Sequence, residues 1–360
     1  MRAKKVRVLI VDDSRLVRKM VSDILKRDSS IEIIGEAKDG EEAVKLTCEL
    51  KPDVVLLDII LPKKDGITAL KEIMSKCPVP VVLFSSVAKE ESLITIEALE
   101  EGAVDFILKP GATPVPLSLD DIANELIRKI KIAASVGRTK LTIRRAIKSL
   151  VSLKKTTQKT SASIITVIGA STGGPPIISY IMSKLNSNLP TAILIVQHMP
   201  PLFTKVFAER LDKISPFKVK EAEDNDIIFN GHAYVAPGGK HMVVEPRGND
   251  LVIRIIDGPR VHGVKPAVDV TLKSVAEHAG RRSIAIILTG MGHDGVQGCL
   301  LLKKRGGIVV AQDRRTSVVY GMPKAVADIG IADLVLPYYK IPEELERIIQ
   351  LKLLQERCLR

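Results

Sequence analysis

The sequence predicts an α/β protein built from two sheet-containing domains. In residues 1–125, five short apolar runs alternate with helical patterns, and the same alternation returns in residues 161–352. Strands that alternate with helices form parallel sheets with helices on both faces. We therefore expect a five-stranded parallel sheet first, and then a three-layer α/β/α domain with a mainly parallel sheet. Ligands of such sheets bind beyond the carboxyl ends of the strands.

Composition agrees with an ordinary globular protein. The 360 residues suffice for two cores, and 46% hydrophobic and 27% charged residues are usual values. No apolar run is long enough for a membrane span or a signal peptide, so we expect a cytoplasmic protein without membrane insertion. The scattered cysteines, with no Cys-x-x-Cys pair, argue against a disulfide framework and a zinc site. They are Cys48, Cys77, Cys299 and Cys358.

The net charge of +12 comes almost entirely from one segment. Residues 126–160 hold eleven Lys or Arg and no acidic residue. We interpret this segment as a basic linker, solvated or docking an acidic partner. A DNA-binding protein is the rival interpretation. It requires a helix-turn-helix in the second half, where the sequence instead has apolar strands and Gly-rich turns, so we expect no nucleic-acid partner.

In the first half, polar side chains follow the first, third, fourth and fifth of the predicted strands, which are 6–11, 31–35, 54–57, 79–84 and 105–108. Helical patterns run up to residue 26 and over 41–50. The polar residues at the strand ends are Asp12, Asp13, Asp58, Ser85 and Lys109. Neighbouring carboxylates repel unless a cation compensates them, and Mg²⁺ suits oxygen ligands. One carboxylate could then accept a phosphoryl group, whose oxygens Ser85 and Lys109 would bind. A lone Asp at such a position is often only a helix cap, but capping does not explain the whole set.

The motifs of the first half resemble those of response-regulator receiver domains, which have a flavodoxin-like fold. They are V-D-D-S at 11–14, L-L-D-I-I-L-P at 56–62, K-D-G at 64–66, F-S-S at 84–86 and D-F-I-L-K-P at 105–110. The resemblance covers residues 5–125. It implies that Asp58 is the phosphoacceptor, that Asp12, Asp13 and the backbone carbonyl of Ile60 help to hold Mg²⁺, and that a histidine kinase is the phosphodonor. Phe106 stands where the family often has a switching aromatic residue.

The second half contains a serine in a Gly-rich turn after a buried strand. Residues 169–173 read Gly-x-Ser-x-Gly, a turn that raises a serine hydroxyl, here Ser171, above a sheet. A phosphate-binding turn, or a turn without a ligand, is the alternative. His198 and the His293-Asp294 pair follow other buried strands. The chain order Ser, His, Asp differs from that of α/β-hydrolases.

Further elements are expected along the second half. The predicted strands are 164–168, 191–196, 283–288, 308–311 and 331–335, with hairpin-like strands at 231–237 and 242–256, and helices at 176–185 and 202–211.

Several motifs of this half resemble the catalytic domain of the chemotaxis protein-glutamate methylesterases, the CheB family. They are G-A-S-T-G-G-P at 169–175, Q-H-M-P-P-x-F-T at 197–204, Y-V-A-P-G-G-x-H-M at 234–242, L-T-G-M-G-x-D-G at 288–295, V-V-A-Q-D at 309–313 and Y-G-M-P at 320–323. The resemblance implies Ser171 as nucleophile, His198 as base and Asp294 as its orienting residue. It also implies an oxyanion donor at the Met291 N–H, with Thr172 beside the nucleophile, and no cofactor in this domain.

The resemblance implies hydrolysis of glutamyl methyl esters, with release of methanol, and deamidation of glutamines on chemoreceptors. The expected domains are a receiver at 1–125, the basic linker at 126–160 and the catalytic domain at 161–352. We expect the unphosphorylated receiver to cover the strand ends near Ser171, and phosphorylation of Asp58 to shift this packing. A receiver-linked scaffold without esterase activity is the remaining alternative.

Overall fold

A computed structural model describes residues 4–86, 88–110, 119–136 and 160–358. These residues form two compact units, one within 4–136 and the other within 160–358. Most of the basic segment 126–160 lies outside the described residues, and the predicted domain limits stay predictions. Among the described helices, none is both long and apolar enough to cross a membrane.

The first unit is a five-stranded parallel sheet. Its strands are β1 (Val6–Val11), β2 (Ile31–Ala37), β3 (Val54–Asp58), β4 (Val81–Ser85) and β5 (Asp105–Leu108), in the order β2-β1-β3-β4-β5. Its helices are α1 (Arg15–Leu25), α2 (Gly40–Leu50), α3 (Gly66–Lys76), α4 (Lys89–Glu100) and α5 (Leu119–Ala134). β3 and β4 are buried along their whole length, as expected for parallel strands covered on both faces. The predicted fold of this half is confirmed.

Helix starts fix the turns that follow three of these strands. The side chains of Ser14, Asp39 and Asp65 accept hydrogen bonds from backbone N–H groups in the first turns of α1, α2 and α3. Such N-caps satisfy donors that have no partner within the helix. The chain therefore leaves each strand at a defined angle, which places residues 12–14 and 58–65 at one edge of the sheet.

A disulfide joins α2 to the end of α3, and the prediction from the cysteine pattern was wrong at this point. Cys48 and Cys77 are bonded, with their Cα atoms 5.4 Å apart. The helices α2 and α3 lie side by side, so residues 29 positions apart in sequence meet in space. Sequence spacing alone does not report this distance.

The second unit contains a seven-stranded sheet in which every neighbouring pair is parallel. Its order is β14-β13-β12-β6-β7-β9-β8, formed by β6 (Ile164–Ala170), β7 (Thr191–Gln197), β8 (Lys218–Glu221), β9 (His232–Val235), β12 (Ser283–Ile287), β13 (Ile308–Gln312) and β14 (Leu334–Leu336). An antiparallel hairpin of β10 (His241–Arg247) and β11 (Asp250–Ile256) lies apart from this sheet. The hairpin was predicted. β9 was predicted to be hairpin-like too, but it pairs in parallel with β7 and β8.

Helices cover this sheet. They are α6 (Gly174–Lys184), α7 (Phe203–Ile214), α8 (Val268–His278), α9 (Val296–Lys304), α10 (Met322–Asp328) and α11 (Ile341–Cys358). α8 packs against α9 and against β10, and its buried residues Leu272 and Val275 belong to the main apolar core. The N-termini of α8 and α9 therefore meet near the carboxyl end of β12.

The disulfide is expected to stabilise the first unit. A bond that closes a loop of about 30 residues contributes roughly 3–4 kcal/mol by restricting the unfolded chain. Cys48→Ser should lower the free energy of unfolding by about that amount, and Cys77→Ser equally. Thermal and denaturant unfolding of the oxidised proteins measure this. The double variant should be no less stable than either single variant, and reductant should destabilise only the wild type. Equal stability of wild type and single variants without reductant would contradict the bond.

Candidate functional sites

The first candidate site is an acidic cluster at the carboxyl ends of β1 and β3. Asp12 and Asp58 are buried, Asp13 is exposed, and one oxygen of each carboxylate lies within 4.8 Å of the others. Nζ of Lys109 lies 2.7 Å from Oδ2 of Asp58 and 3.0 Å from Oδ2 of Asp12. The structure thus brings together four of the five strand-end residues that the sequence singled out.

Burial and charge determine how these groups ionise. Burial raises the pKa of Asp58 to about 6, against the opposing effect of the Lys109 ammonium and with a further increase from Asp12. Burial also acts to lower the pKa of Lys109, but its ion pairs with Asp58 and Asp12 outweigh that effect and raise it. One ammonium group is thus paired with the two buried carboxylates of the cluster.

The cluster fits a divalent cation. Oδ2 of Asp12 is buried and, within the described residues, has no hydrogen bond, although it lies 3.0 Å from the Lys109 ammonium. The backbone N–H of Ile60 donates to Oδ1 of Asp58 over 3.3 Å, which places this peptide beside the carboxylates. Mg²⁺ prefers carboxylate and carbonyl oxygens. Asp12, Asp13, Asp58 and the carbonyl of Ile60 therefore remain the predicted ligands.

The other two predicted receiver residues have contacts of their own. Ser85 is fully buried, and its hydroxyl is hydrogen-bonded to Oγ1 of Thr95 over 2.8 Å. Phe106 is buried in the core, with Nζ of Lys129 lying 5.3 Å from the centre of its ring. The predicted roles of Ser85 in phosphoryl binding and of Phe106 in switching stay predictions.

The second candidate site lies at the carboxyl ends of β6, β7 and β12. The N–H of Ser171, just after β6, donates to the carbonyl of Thr289, and the N–H of His198, just after β7, donates to the carbonyl of Ala170, both over 3.0 Å. The amide Nε2 of Gln197 donates to the carbonyls of Ser171 and His198 over 3.0 and 3.3 Å. These bonds hold the serine and the histidine on neighbouring strand ends.

Asp294 binds the His198 ring and two backbone amides. Nε2 of His198 lies 2.8 Å from Oδ2 of Asp294. The carboxylate also accepts from the N–H groups of Val268 and Asp269, in the first turn of α8, over 2.7 and 2.9 Å. Burial acts to raise the pKa of Asp294, but these hydrogen bonds and the His198 ring hold it below the ordinary value. The carboxylate is therefore kept ionised inside the protein.

The contact with Asp294 distinguishes the roles of the two nitrogens of the His198 ring. Nε2 is occupied by Asp294, which leaves Nδ1 as the nitrogen that can act as a base. Within the described residues, no hydrogen bond joins the Ser171 hydroxyl to this ring. Such contacts often tighten only when substrate is bound.

The close approach of the backbone to Ser171 depends on Gly290. A Cβ at this position would lie 2.8 Å from the Cβ of Ser171 and 2.4 Å from Sδ of Met322. The next residue, Met291, is 42% exposed, while Thr172 is buried and its carbonyl accepts from the Thr289 hydroxyl over 3.0 Å. Both residues predicted to assist Ser171 therefore lie on the loops beside it.

Three further histidines lie near the second site. His293 is exposed, and the centre of its ring lies 4.5 Å from that of His262, with the two rings edge to face. His262 follows no strand, and its Nε2 lies 2.7 Å from Oδ2 of the buried Asp269. His241 is buried and starts β10. For His241 and Gln197, the sequence signal was their position in the motifs at 234–242 and 197–204.

One group in this unit has the spacing of metal ligands. Atoms of His262, Asp269 and Asp294 lie within 4.8 Å of one another. The carboxylate of Asp269 accepts from His262 and from the N–H of Gly298, and that of Asp294 accepts from His198 and two amides. We therefore assign the group to hydrogen bonding, and the expectation that this domain needs no cofactor stays a prediction.

Known proteins match both units of the chain. Residues 8–115 match the response regulator receiver domain, and residues 166–345 match the CheB methylesterase family. A protein of Archaeoglobus fulgidus named protein-glutamate methylesterase/protein-glutamine glutaminase is 47% identical, over 96% of this chain and 99% of that protein. A protein of the same name from Pyrococcus abyssi is 46% identical, over 97% and 95%. The crystal structure of the Thermotoga maritima CheB methylesterase catalytic domain has a TM-score of 0.51 and 46% identity, covering 53% of this chain and all of that domain.

The fold and these matches define a response-regulator receiver joined to a hydrolase domain. The chain belongs to the CheB methylesterase family.

The Gly290 contacts give a test of the second site. Gly290→Ala should cost about 1–3 kcal/mol of stability, because the new methyl group overlaps Met322 and Ser171. The same shift should slow the labelling of Ser171 by a fluorophosphonate. Thermal unfolding and the labelling rate measure the two effects. Gly258→Ala is the matched control, since its Cβ would meet its nearest neighbour at 3.8 Å. Equal behaviour of the two variants would refute the crowding at Gly290.

Proposed function

We propose that the second unit is a serine hydrolase that removes methyl groups from glutamyl methyl esters, and amide nitrogen from glutamines, of chemoreceptors in chemotaxis. The observation that carries this proposal is the 2.8 Å contact between His198 and a buried Asp294, at a sheet edge where Ser171 directly follows the neighbouring strand β6. An ionised carboxylate that orients an imidazole beside a serine is the arrangement that activates a hydroxyl. The names of the full-length relatives support the substrate class.

The reaction has two halves. Nδ1 of His198 takes the proton of Ser171 while Oγ attacks the γ-carbonyl carbon of the ester. The tetrahedral intermediate collapses as His198 gives that proton to the methoxy oxygen, and methanol leaves an acyl-enzyme. Water then loses a proton to His198 and attacks the same carbon, and the glutamate is released as Ser171 regains its proton. For glutamine the first leaving group is ammonia.

The negative oxygen of each tetrahedral intermediate needs donors. We assign this role to the backbone N–H of Met291, with Thr172 beside the nucleophile. The position of Met291 on the loop after Gly290, whose missing side chain lets the loop approach Ser171, supports the assignment. Removing one such donor typically costs about 10²–10³ in rate.

The receiver is the proposed control element. An oxygen of Asp58 attacks the phosphorus of a phosphohistidine on a histidine kinase, and the P–N bond breaks. Mg²⁺, held by Asp12, Asp13, Asp58 and the Ile60 carbonyl, supplies positive charge to the phosphoryl oxygens when it is bound. Lys109 exchanges its contact with Asp58 for one with the phosphoryl group, and the Ser85 hydroxyl leaves Thr95 to do the same. This exchange biases the receiver toward a second conformation and so regulates the hydrolase.

The serine mechanism predicts that methanol release requires Ser171. Ser171→Ala should lower the release from methylated receptor fragments by about 10⁴-fold or more, because the nucleophile is lost. Ser183→Ala is a matched control, since Ser183 is a half-buried helix residue bonded to the carbonyl of Tyr180. Gas chromatography of methanol measures the rates. Persistent release from Ser171→Ala would rule out this nucleophile.

The state of Asp294 predicts the pH dependence. A carboxyl pKa below its ordinary value means that Asp294 stabilises the fold above its unfolded pKa, and that this stabilisation is lost only as the pH falls through the lower folded value. Asp294 should therefore stay ionised at pH values above the ordinary carboxyl range and add no second proton there, so the acid limb of kcat/KM should have a slope of one. Asp294→Asn should reduce kcat by about 10³–10⁴. An acid limb of slope two would contradict this assignment.

If phosphorylation of Asp58 activates the hydrolase, a small-molecule phosphodonor with Mg²⁺ should raise the rate of methanol release. Asp58→Asn should abolish this increase, because the amide cannot accept the phosphoryl group. Asp23→Asn, which changes an exposed carboxylate of α1, is the control and should respond like the wild type. Stimulation that persists in Asp58→Asn would contradict the proposed regulation by Asp58 but not the proposed hydrolase activity.

A further inference from the structure

His241 lies in the motif at 234–242, which takes no part in the proposed reaction. The residue starts β10 and is 3% exposed. Its Nδ1 lies 3.2 Å from the backbone nitrogen of Ala267, and its Nε2 lies 3.0 Å from the carbonyl oxygen of Pro259. One buried ring therefore binds both ends of the segment 259–267.

The two partners fix the protonation of this ring. A backbone N–H can only donate, so Nδ1 accepts from Ala267. A carbonyl oxygen can only accept, so Nε2 carries the hydrogen and donates to Pro259. His241 is therefore a neutral imidazole with its hydrogen on Nε2.

The bond to Ala267 acts next to the amides that hold the proposed catalytic carboxylate. Ala267 immediately precedes α8, and the N–H groups of the next two residues, Val268 and Asp269, both donate to Asp294. His241 therefore holds the backbone one residue away from the first donor.

The hairpin binds the rest of α8 by other groups. The Thr271 hydroxyl donates to the carbonyl of Met242 over 2.7 Å, and the N–H of Val244 donates to the Ser274 hydroxyl over 3.0 Å. These bonds fix the middle of the helix. Loss of the His241 bond should consequently release the N-terminal end of α8 without detaching the helix.

The bond to Pro259 acts on the same end of the helix from the other side. It fixes the start of the segment that carries His262, whose Nε2 lies 2.7 Å from Asp269. The other oxygen of Asp269 accepts from the N–H of Gly298 in α9 over 2.7 Å. Both bonds of His241 thus converge on the helix ends around Asp294.

We propose that His241 is a positioning residue for Asp294, acting chiefly through the bond from Ala267 to its Nδ1. This inference rests on the proposed function, because Asp294 matters for rate only if it orients His198. The part of the inference that concerns structure does not depend on the reaction. It states that Nδ1 of His241 fixes the amides of Val268 and Asp269.

Two variants separate the two nitrogens. In His241→Asn the amide oxygen lies where Nδ1 lies and can still accept from Ala267, while the donor to Pro259 is lost. In His241→Gln the amide nitrogen reaches the position of Nε2 and can still donate to Pro259, while the acceptor for Ala267 is lost. Each variant loses one hydrogen bond, so their unfolding temperatures should fall by similar amounts. His232→Gln, which loses a bond to the carbonyl of Asn230 away from α8, is the control.

The measurements, on the full chain, are kcat and KM for methanol release and amide hydrogen exchange by NMR at Val268 and Asp269. His241→Gln should lower kcat about tenfold to a hundredfold, since small misplacements of catalytic groups have effects of this size. KM should stay within about twofold. His241→Asn should keep kcat within about threefold of wild type. Exchange at the two amides should accelerate in His241→Gln and stay slow in His241→Asn and His232→Gln.

Equal losses of kcat in the Asn and Gln variants, or equal exchange rates at the two amides, would overturn the role of Nδ1. Failure of the proposed function has a different signature, because methanol release would then be absent from the wild type or would survive in Ser171→Ala. In that case the exchange rates alone decide whether His241 fixes the helix end.

Discussion

The catalytic half depends on a buried negative charge that is stabilised by helix ends. The helices α8 and α9 meet at their N-termini, and N–H groups in the first turn of each donate to a carboxylate that lies in or just before the other helix. Asp294, before α9, accepts from two amides of α8, while Asp269, in α8, accepts from Gly298 of α9. N-terminal N–H groups lack partners within their helices and carry partial positive charge. They can therefore hold two carboxylates inside the protein, where an unpaired ion would be very costly.

The acidic cluster of the receiver uses the same residue type in the opposite way. Asp58 receives one backbone N–H at 3.3 Å and shares a single lysine with Asp12. Burial therefore prevails over these contacts and raises the pKa of Asp58 to about 6, whereas hydrogen bonds outweigh burial and lower the pKa of Asp294. A carboxylate already satisfied by amides can orient an imidazole for many turnovers. A carboxylate left short of donors has room for a cation and for new covalent chemistry.

The sequence correctly predicted the residues that come together because they follow neighbouring strands. Apolar runs located the main strands of both sheets, and the register of a parallel sheet then brought Asp12 near Asp58 and Ser171 near His198. It failed where long-range packing decides. The bond between Cys48 and Cys77 depends on how two helices lie together, and β9 is short enough to fit a hairpin or a parallel sheet equally.

The hydrogen-bond partners of side chains also could not be predicted from the sequence. The hydroxyl of Ser85 sits at the predicted strand end but is bonded to Thr95, in the next helix. His262 follows no strand, and only the folded chain brings it to Asp269. A motif can thus name a residue without giving its partner, because the partner comes from an element distant in the chain.

The geometry of the second site has two independent origins. The sheet places Ser171 and His198, through backbone bonds to Thr289 and Ala170 and through the amide of Gln197. The helix ends place Asp294. The contact between His198 and Asp294 joins the sheet edge to the helix ends. A shift of either part therefore changes the orientation of the imidazole. Gln197 shows how closely the sheet edge is packed. Its Oε1 is buried and has no hydrogen bond among the described residues. It lies against Gly174, where a Cβ would be only 2.2 Å from this oxygen. The sheet edge thus presents Ser171 and His198, whereas the position of Asp294 depends on the N-terminal amides of α8.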